Sequence, residues 1–144
     1  MLKQIDPLIS PSLLHVLAMM GHGDELAIVD TNFPAYSMAE HTSYGSVLTI
    51  GANLTRSVQA VLTLLPLDTF VTAAATTMQV VGDAAMIPDT VAEITPLIAA
   101  EGVGQDTVER FAFYERARNA FAILHCQEAR IYGNVLLRKG IIPG

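Results

Sequence analysis

The chain has 144 residues, which suits one domain with its own core and leaves no room for a second. A formal net charge of −6, with Lys and Arg scattered apart from a weak cluster at Arg110, Arg116 and Arg118, argues against nucleic acid as a partner. A hydrophobic fraction of 51% and a mean hydropathy of +0.42 are high, yet uncharged stretches such as 41–55 and 69–82 are too short or too rich in Gly, Thr and Asn to span a bilayer, so the apolar excess is expected between subunits.

The opening Met1-Leu2-Lys3-Gln4-Ile5-Asp6-Pro7 lacks the basic segment and apolar core of a signal peptide, and a cytoplasmic protein is expected. Ser10-Pro11 then starts a helix, a capping hydroxyl followed by proline at the first helical position. Leu13, Leu14, Leu17 and Met20 recur at near-helical spacing, His15 falls on the polar side, and Gly21 stands where a C-terminal cap belongs. Residues 25–30 read as a buried strand. Asn32 to Ala35 reads as loop, because Pro34 disfavours helix in the residue before it. Residues 47–50 form a short strand stopped by Gly51, and Asn53 caps a helix whose Leu54, Val58, Val61, Leu62 and Leu65 share a face until Pro66.

The Thr- and Val-rich run 70–81 suits one long strand or two shorter ones, ending at the turn-forming Gly82-Asp83. Pro88-Asp89 introduces a helical segment, 90–100, that Pro96 is expected to kink or divide. After a turn at 102–104, residues 108–111 read as strand, 114–121 as a short helix, and 122–127 and 135–137 as closing strands. Alternating helices and strands predict a single-domain layered α/β sandwich over residues 1–144, around a mixed, largely parallel sheet. Cys126, the lone cysteine, excludes an internal disulfide framework and reads as a small buried hydrophobe.

Gly21-His22-Gly23-Asp24 is the segment with the most chemical content. A histidine between two glycines has an accessible ring that gives and takes protons near neutral pH, although Gly-His-Gly is also an ordinary flexible turn. Asp30 closes the strand that follows, at the carboxyl end where α/β proteins keep their ligand sites, and it equally could cap a turn. His41 and His125 lie far apart without paired ligand spacing, and His22 with Asp24 falls short of the three or four ligands of a zinc site, so no metal is expected. Neither a Gly-x-Gly-x-x-Gly nor a P-loop lysine is present, and no cofactor is expected.

Taken in order with Phe33-Pro34-Ala35, Arg110-Phe111-Ala112-Phe113-Tyr114-Glu115-Arg116 and Tyr132-Gly133-Asn134, these residues resemble the L-fucose mutarotase and D-ribose pyranase family across nearly the whole chain. Both ends carry the likeness, at Ile5-Asp6-Pro7-Leu8-Ile9-Ser10-Pro11 and at Gly133 to Gly140, and it thins between Met86 and Asp106. The arginine-led block from Arg110 resembles the fucose branch, since the ribose branch tends to carry histidine there. Asn32 departs from the histidine common in fucose enzymes at that place.

The resemblance implies a mutarotase for L-fucose or a similar hexose, with His22 as the proton-transfer group. Asp30 and Arg110 would position the sugar, Tyr132, Gly133 and Asn134 would match a polyol, and Tyr114 would stack or relay a proton. Arg110 could otherwise be a surface partner of Glu109 or Glu115, and Tyr-Gly-Asn is by itself a common turn signal. The competing functions are a ribose pyranase and a non-catalytic sugar-binding protein linked to uptake. Composition and resemblance together imply a homo-oligomer, a ring of five or a stacked ten, with pockets near subunit boundaries.

Overall fold

The computed structural model describes residues 1–144. In chain order the elements are α1 (Pro11–Met19), β1 (Glu25–Val29), α2 (Ala35–Ala39), β2 (Val47–Ile50), α3 (Leu54–Leu62), β3 (Ala75–Met78), α4 (Asp89–Ala100), β4 (Gln105–Val108), α5 (Arg110–Arg118), β5 (Ala122–Cys126) and β6 (Val135–Arg138). Six strands form one sheet in the order β2-β5-β1-β6-β3-β4. Strands β2, β5 and β1 run parallel to one another, β3 runs parallel to β4, and β6 is antiparallel to both of its neighbours. The sheet is mixed because that one reversed strand joins two parallel blocks.

Alternation along the central strands sorts the core into two layers. Leu26 and Ile28 of β1, Leu124 of β5 and Leu137 of β6 pack with Leu13, Val16, Leu54, Val58, Val61, Ile94 and Ile98, so α1, α3 and α4 cover one face. Ala27, Val29, Ile123 and Leu136 point the other way, onto Phe33, Met38, Phe113 and Ala117 of the α2 and α5 side. Leu26 to Val29 are fully buried, as expected of a strand covered by helices on both faces. No helix is long and apolar enough to cross a membrane.

Local chemistry explains most boundaries. The Ser10 hydroxyl accepts from Leu13 N at 3.1 Å and Asn53 Oδ1 accepts from Arg56 N at 3.0 Å, capping α1 and α3 as the sequence predicts. Gly21, however, is not the left-handed cap of α1: Met20 leaves the helix in an extended conformation, and the positive φ of +89° falls two residues later, on Gly23. Only 75–78 of the run 70–81 is strand, because the partners β6 and β4 offer only four residues each. The segment 108–111 is not strand beyond Val108. Glu109 accepts from Ala112 N at 2.6 Å and starts α5 at Arg110, an N-cap by a glutamate that residue preferences do not signal.

Pro96 does not divide α4, which runs unbroken to Ala100. Pro96 and Ala92, whose carbonyl loses its donor to the proline, are both on the exposed side, where water replaces the missing bond. The loop expected over 32–35 ends at Pro34, and the short helix α2, which the sequence does not signal, begins at Ala35: the ring restrains Phe33 before it and leaves Ala35 free to turn.

Leu124 is fully buried on β5, between β2 and β1. Leu124→Ala should lower the unfolding free energy by about 2–5 kcal/mol, read as an earlier denaturant midpoint at an unchanged slope.

Candidate active site

The topology collects four chain ends at one edge of the sheet. β1, β3 and β4 finish there, at Asp30, Met78 and the Glu109-Arg110 junction, and the reversed strand β6 starts there, directly after Asn134. The register Ile28↔Val135, carried two residues further, sets Asp30 against Gly133 and beside Asn134 although more than a hundred residues separate them. A cavity of about 180 Å³ opens at this edge, lined by Asp30, Asn32, Phe33, Met78, Arg110, Tyr114, Ile131, Tyr132 and Asn134. Beyond Ile131 and Tyr132 it adjoins a second hollow of about 440 Å³, walled by Val80, Met86, Pro88 and Arg130 among others.

Asp30 is 3% exposed and sits in a dense set of donors. Its Oδ2 accepts from Gly133 N at 3.0 Å and from Asn134 Nδ2 at 3.2 Å, its Oδ1 accepts from Asn32 N at 3.0 Å, and its own N–H donates to Asn134 Oδ1 at 3.0 Å. Burial raises the Asp30 pKa above its ordinary value, and the three backbone amides and the Asn134 amide oppose that without cancelling it. The turn-capping alternative is thus true and incomplete: Asp30 holds its own turn and ties the 130–134 loop to β1.

Tyr132 carries that loop through a left-handed conformation, φ 62°, unusual for a residue with a side chain and costing about 1–2 kcal/mol. Its hydroxyl accepts from Val81 N at 3.1 Å, and its carbonyl accepts from the Thr90 hydroxyl at 3.3 Å. Gly133 is required at its place, since a Cβ there would lie 2.6 Å from Glu128 Cγ and 3.3 Å from Asp30 Cβ. The Tyr-Gly-Asn turn is therefore built to deliver one amide and one side chain onto Asp30.

Arg110 opens α5 with its guanidinium 4.5 Å from the Phe111 ring centre and 5.7 Å from that of Tyr114, while Phe33 meets Tyr114 edge-on at 5.3 Å. It does not pair with its neighbours: Glu109 caps the helix and Glu115 pairs with Arg118. Its Nε is buried with no partner in the protein, a donor left for something else.

Five of the seven residues singled out from the sequence, Asp30, Arg110, Tyr114, Tyr132 and Asn134, line this one cavity, and Gly133 supports it from behind. His22 does not. It precedes β1 whereas Asp30 follows it, and the five residues of that strand alone extend about 16 Å. One chain therefore does not bring its own His22 ring to this cavity. At its own edge the half-exposed His22 ring places Nε2 3.2 Å from Asp68 Oδ1 and stands edge-on to Phe70, itself 70% exposed. Asp68 also accepts from Phe70 N at 3.0 Å and Arg138 Nε at 3.1 Å, and these bonds, led by the Phe70 amide, lower its pKa. Asp68 was not recognisable as the partner of His22, because the contact spans 46 residues, nor was Arg138 as the partner of Asp68.

The remaining candidates are inert. Burial pushes the Cys126 thiol up to about 11, so it stays protonated, and His125 packs its ring on Tyr36. No three His, Cys, Asp or Glu side chains converge as a metal site would need.

Comparison with known proteins places the whole chain in a family. Residues 3–142 match the model of the RbsD / FucU transport protein family. A fucose mutarotase of Danio rerio is 40% identical over 147 residues, covering 99% of this chain and 95% of its own. Among solved structures, the fucose mutarotase of Streptococcus pneumoniae in complex with L-fucose is 33% identical with a TM-score of 0.85, covering 99% of this chain and all of that one. FucU of Bifidobacterium longum is 38% identical with a TM-score of 0.83, covering 98% and 100%.

Because burial raises the Asp30 pKa, the folded state holds this proton more tightly than the unfolded chain does. Stability from this group should therefore fall as pH rises from about 3.9 through the folded value. Carbon NMR of the carboxyl should show a midpoint above that of a free aspartate, moving higher still in Asn134→Ala, which removes a donor to the ionised form.

Proposed function

The chain belongs to the RbsD / FucU transport protein family, and from that membership we propose that it is a mutarotase interconverting the α and β anomers of L-fucose or a similar reducing monosaccharide. The observation that carries the reading is the cavity at the strand ends, where a buried carboxylate, an amide, two phenols and an arginine with a free Nε–H face one small volume. Alternating acceptors and donors with an apolar wall of Phe33, Met78 and Ile131 fit a polyol that also has an apolar face.

Anomer exchange needs a proton on the ring oxygen as its bond to the anomeric carbon breaks, and loss of the proton from the anomeric hydroxyl. The resulting aldehyde rotates and recloses on its other face, returning both protons, with no redox change or covalent adduct. In this reading Arg110 and Asn134 donate to sugar hydroxyls, Asp30 accepts from them, and Tyr132 and Tyr114 bracket the ring. Gly133 lets the backbone approach closely.

His22 is the acid and base, and it enters from a neighbouring copy. Two observations support this: the ring is half exposed at the opposite sheet edge, with Nδ1 free while Nε2 faces Asp68, and exposed apolar side chains border both edges. Phe70 stands beside His22, while exposed Ile131 lines the strand-end cavity, exposed Met86 lines the adjoining hollow and exposed Phe111 follows Arg110. A ring of five copies, or ten in two rings, would bury these surfaces and seat the edge of one copy on the cavity of the next. A cytoplasmic location suits a protein whose one cysteine is free and whose substrate is a metabolic sugar.

Ribose pyranase activity is the second reading within the family, and the arginine at 110 speaks against it. Magnetisation-exchange NMR should show faster anomer exchange in L-fucose than in D-ribose on adding the protein, and His22→Ala should reduce it about 10²- to 10⁴-fold with sugar affinity retained. A folded wild-type protein that binds sugar yet accelerates no exchange would establish the non-catalytic alternative. The shared site has its own check: His22→Ala and Arg110→Ala, each weak alone, should regain part of the activity when unfolded and reassembled together. No recovery in mixed assemblies would place all the machinery in one copy.

A further inference from the structure

One buried charge lies just outside the cavity, and the reaction described above does not use it. Glu128 is 3% exposed, in the segment that leaves β5. Each of its carboxylate oxygens faces two donors. Oε1 accepts from Arg130 N at 3.0 Å and Arg130 Nε at 2.9 Å, and Oε2 accepts from Arg130 Nη2 at 2.9 Å and Leu54 N at 3.3 Å. These bonds, the Arg130 side chain foremost, hold the carboxyl below its ordinary pKa.

The same residue touches both halves of the Asp30 cradle. Its backbone carbonyl accepts from Thr31 N and from the Thr31 hydroxyl, both at 3.0 Å, which fixes the residue next to Asp30. Its Cγ lies 2.6 Å from the point a Cβ on Gly133 would occupy, so the side chain is the floor on which Gly133 rests. Gly133 in turn donates its N–H to Asp30 Oδ2.

We propose that Glu128 is a positioning residue for the sugar site: clamped by Arg130, it sets the spacing between the Asp30 turn and the Tyr132-Gly133-Asn134 turn, and so the alignment of Asp30 and Asn134 on the sugar. A carboxylate is needed for this and an amide of the same shape does not serve. Four donors converge on the two oxygens, and in glutamine the amide nitrogen would face two of them whichever way the group turned. The role rests on the sugar-site reading, but the geometry it sets is measurable without any sugar.

The test compares Glu128→Gln with Glu93→Gln. Glu93 pairs with the outer nitrogens of Arg130 at 2.6 Å and lies on the surface, so its loss should leave L-fucose binding and exchange within about twofold of wild type. Glu128→Gln should weaken L-fucose binding on the order of tenfold and slow exchange at saturating sugar by a similar factor. In the free protein, hydrogen exchange at the Gly133 and Thr31 amides should quicken while the amides of β1 and β6 keep wild-type protection. Should Glu128→Gln not fold, Arg130→Lys carries the same comparison, since it keeps the charge and loses the paired geometry.

Wild-type protection at Gly133 and Thr31 in a folded variant overturns the proposal. So does acceleration of the β1 and β6 amides in step with them, which would make Glu128 a general stability residue. If the wild-type protein neither binds L-fucose nor speeds its exchange, the functional reading fails, while the amide measurement still decides the clamp.

Discussion

The exchange of bonds between Asp30 and the Gly133-Asn134 pair is the constraint on which the site depends. Asp30 accepts from Asn134 Nδ2 with its carboxylate and gives its own N–H to Asn134 Oδ1, so the two residues are locked face to face. A lone ionised carboxylate in this place would be very costly, and it is tolerated because several donors are directed at it. The polar groups that remain for a ligand are consequently few, fixed and already oriented, and little ordering is left for the moment of binding.

This lock is a product of sheet topology. If β6 ran parallel to β1, Asn134 would fall at the opposite edge, beside His22. The reversal of β6 instead brings the start of one strand to the finish of another, and the parallel pair β3 and β4 adds Met78 and Arg110 at the same edge. The opposite edge receives the other product of the same reversal, Arg138 at the end of β6, which steadies Asp68 and through it the His22 ring. The His22 ring and the Asp30 cavity therefore lie at opposite edges of the sheet, and under the proposed function each is one half-site.

Strain and apolar exposure occur at both of these places. Tyr132 is left-handed, the Arg110 Nε is unpartnered, and Phe70, Met86, Phe111 and Ile131 keep large apolar areas in water. Each has a cost in an isolated chain, whereas the caps of Ser10, Asn53 and Glu109 and the central strand β1, buried from Leu26 to Val29, are locally well satisfied.

Much of this was written in the chain. Periodicity and caps marked α1 and α3, a continuous apolar run marked β1, a short apolar segment stopped by Gly51 marked β2, and the ordered polar residues from Asp30 to Asn134 marked the cavity. Where the sequence misled, the deciding force was not local. The run 70–81 has strand composition throughout but pairs only where a neighbour is long enough, and Pro96 survives inside α4 because its carbonyl partner faces water. Asp68 and Glu128, the carboxylates that orient the two half-sites, are ordinary acids in sequence. Their donors come from segments brought near by the sheet, and the length and reversal of strands, which separate His22 from Asp30 and unite Asp30 with Asn134, exist only once the chain has folded.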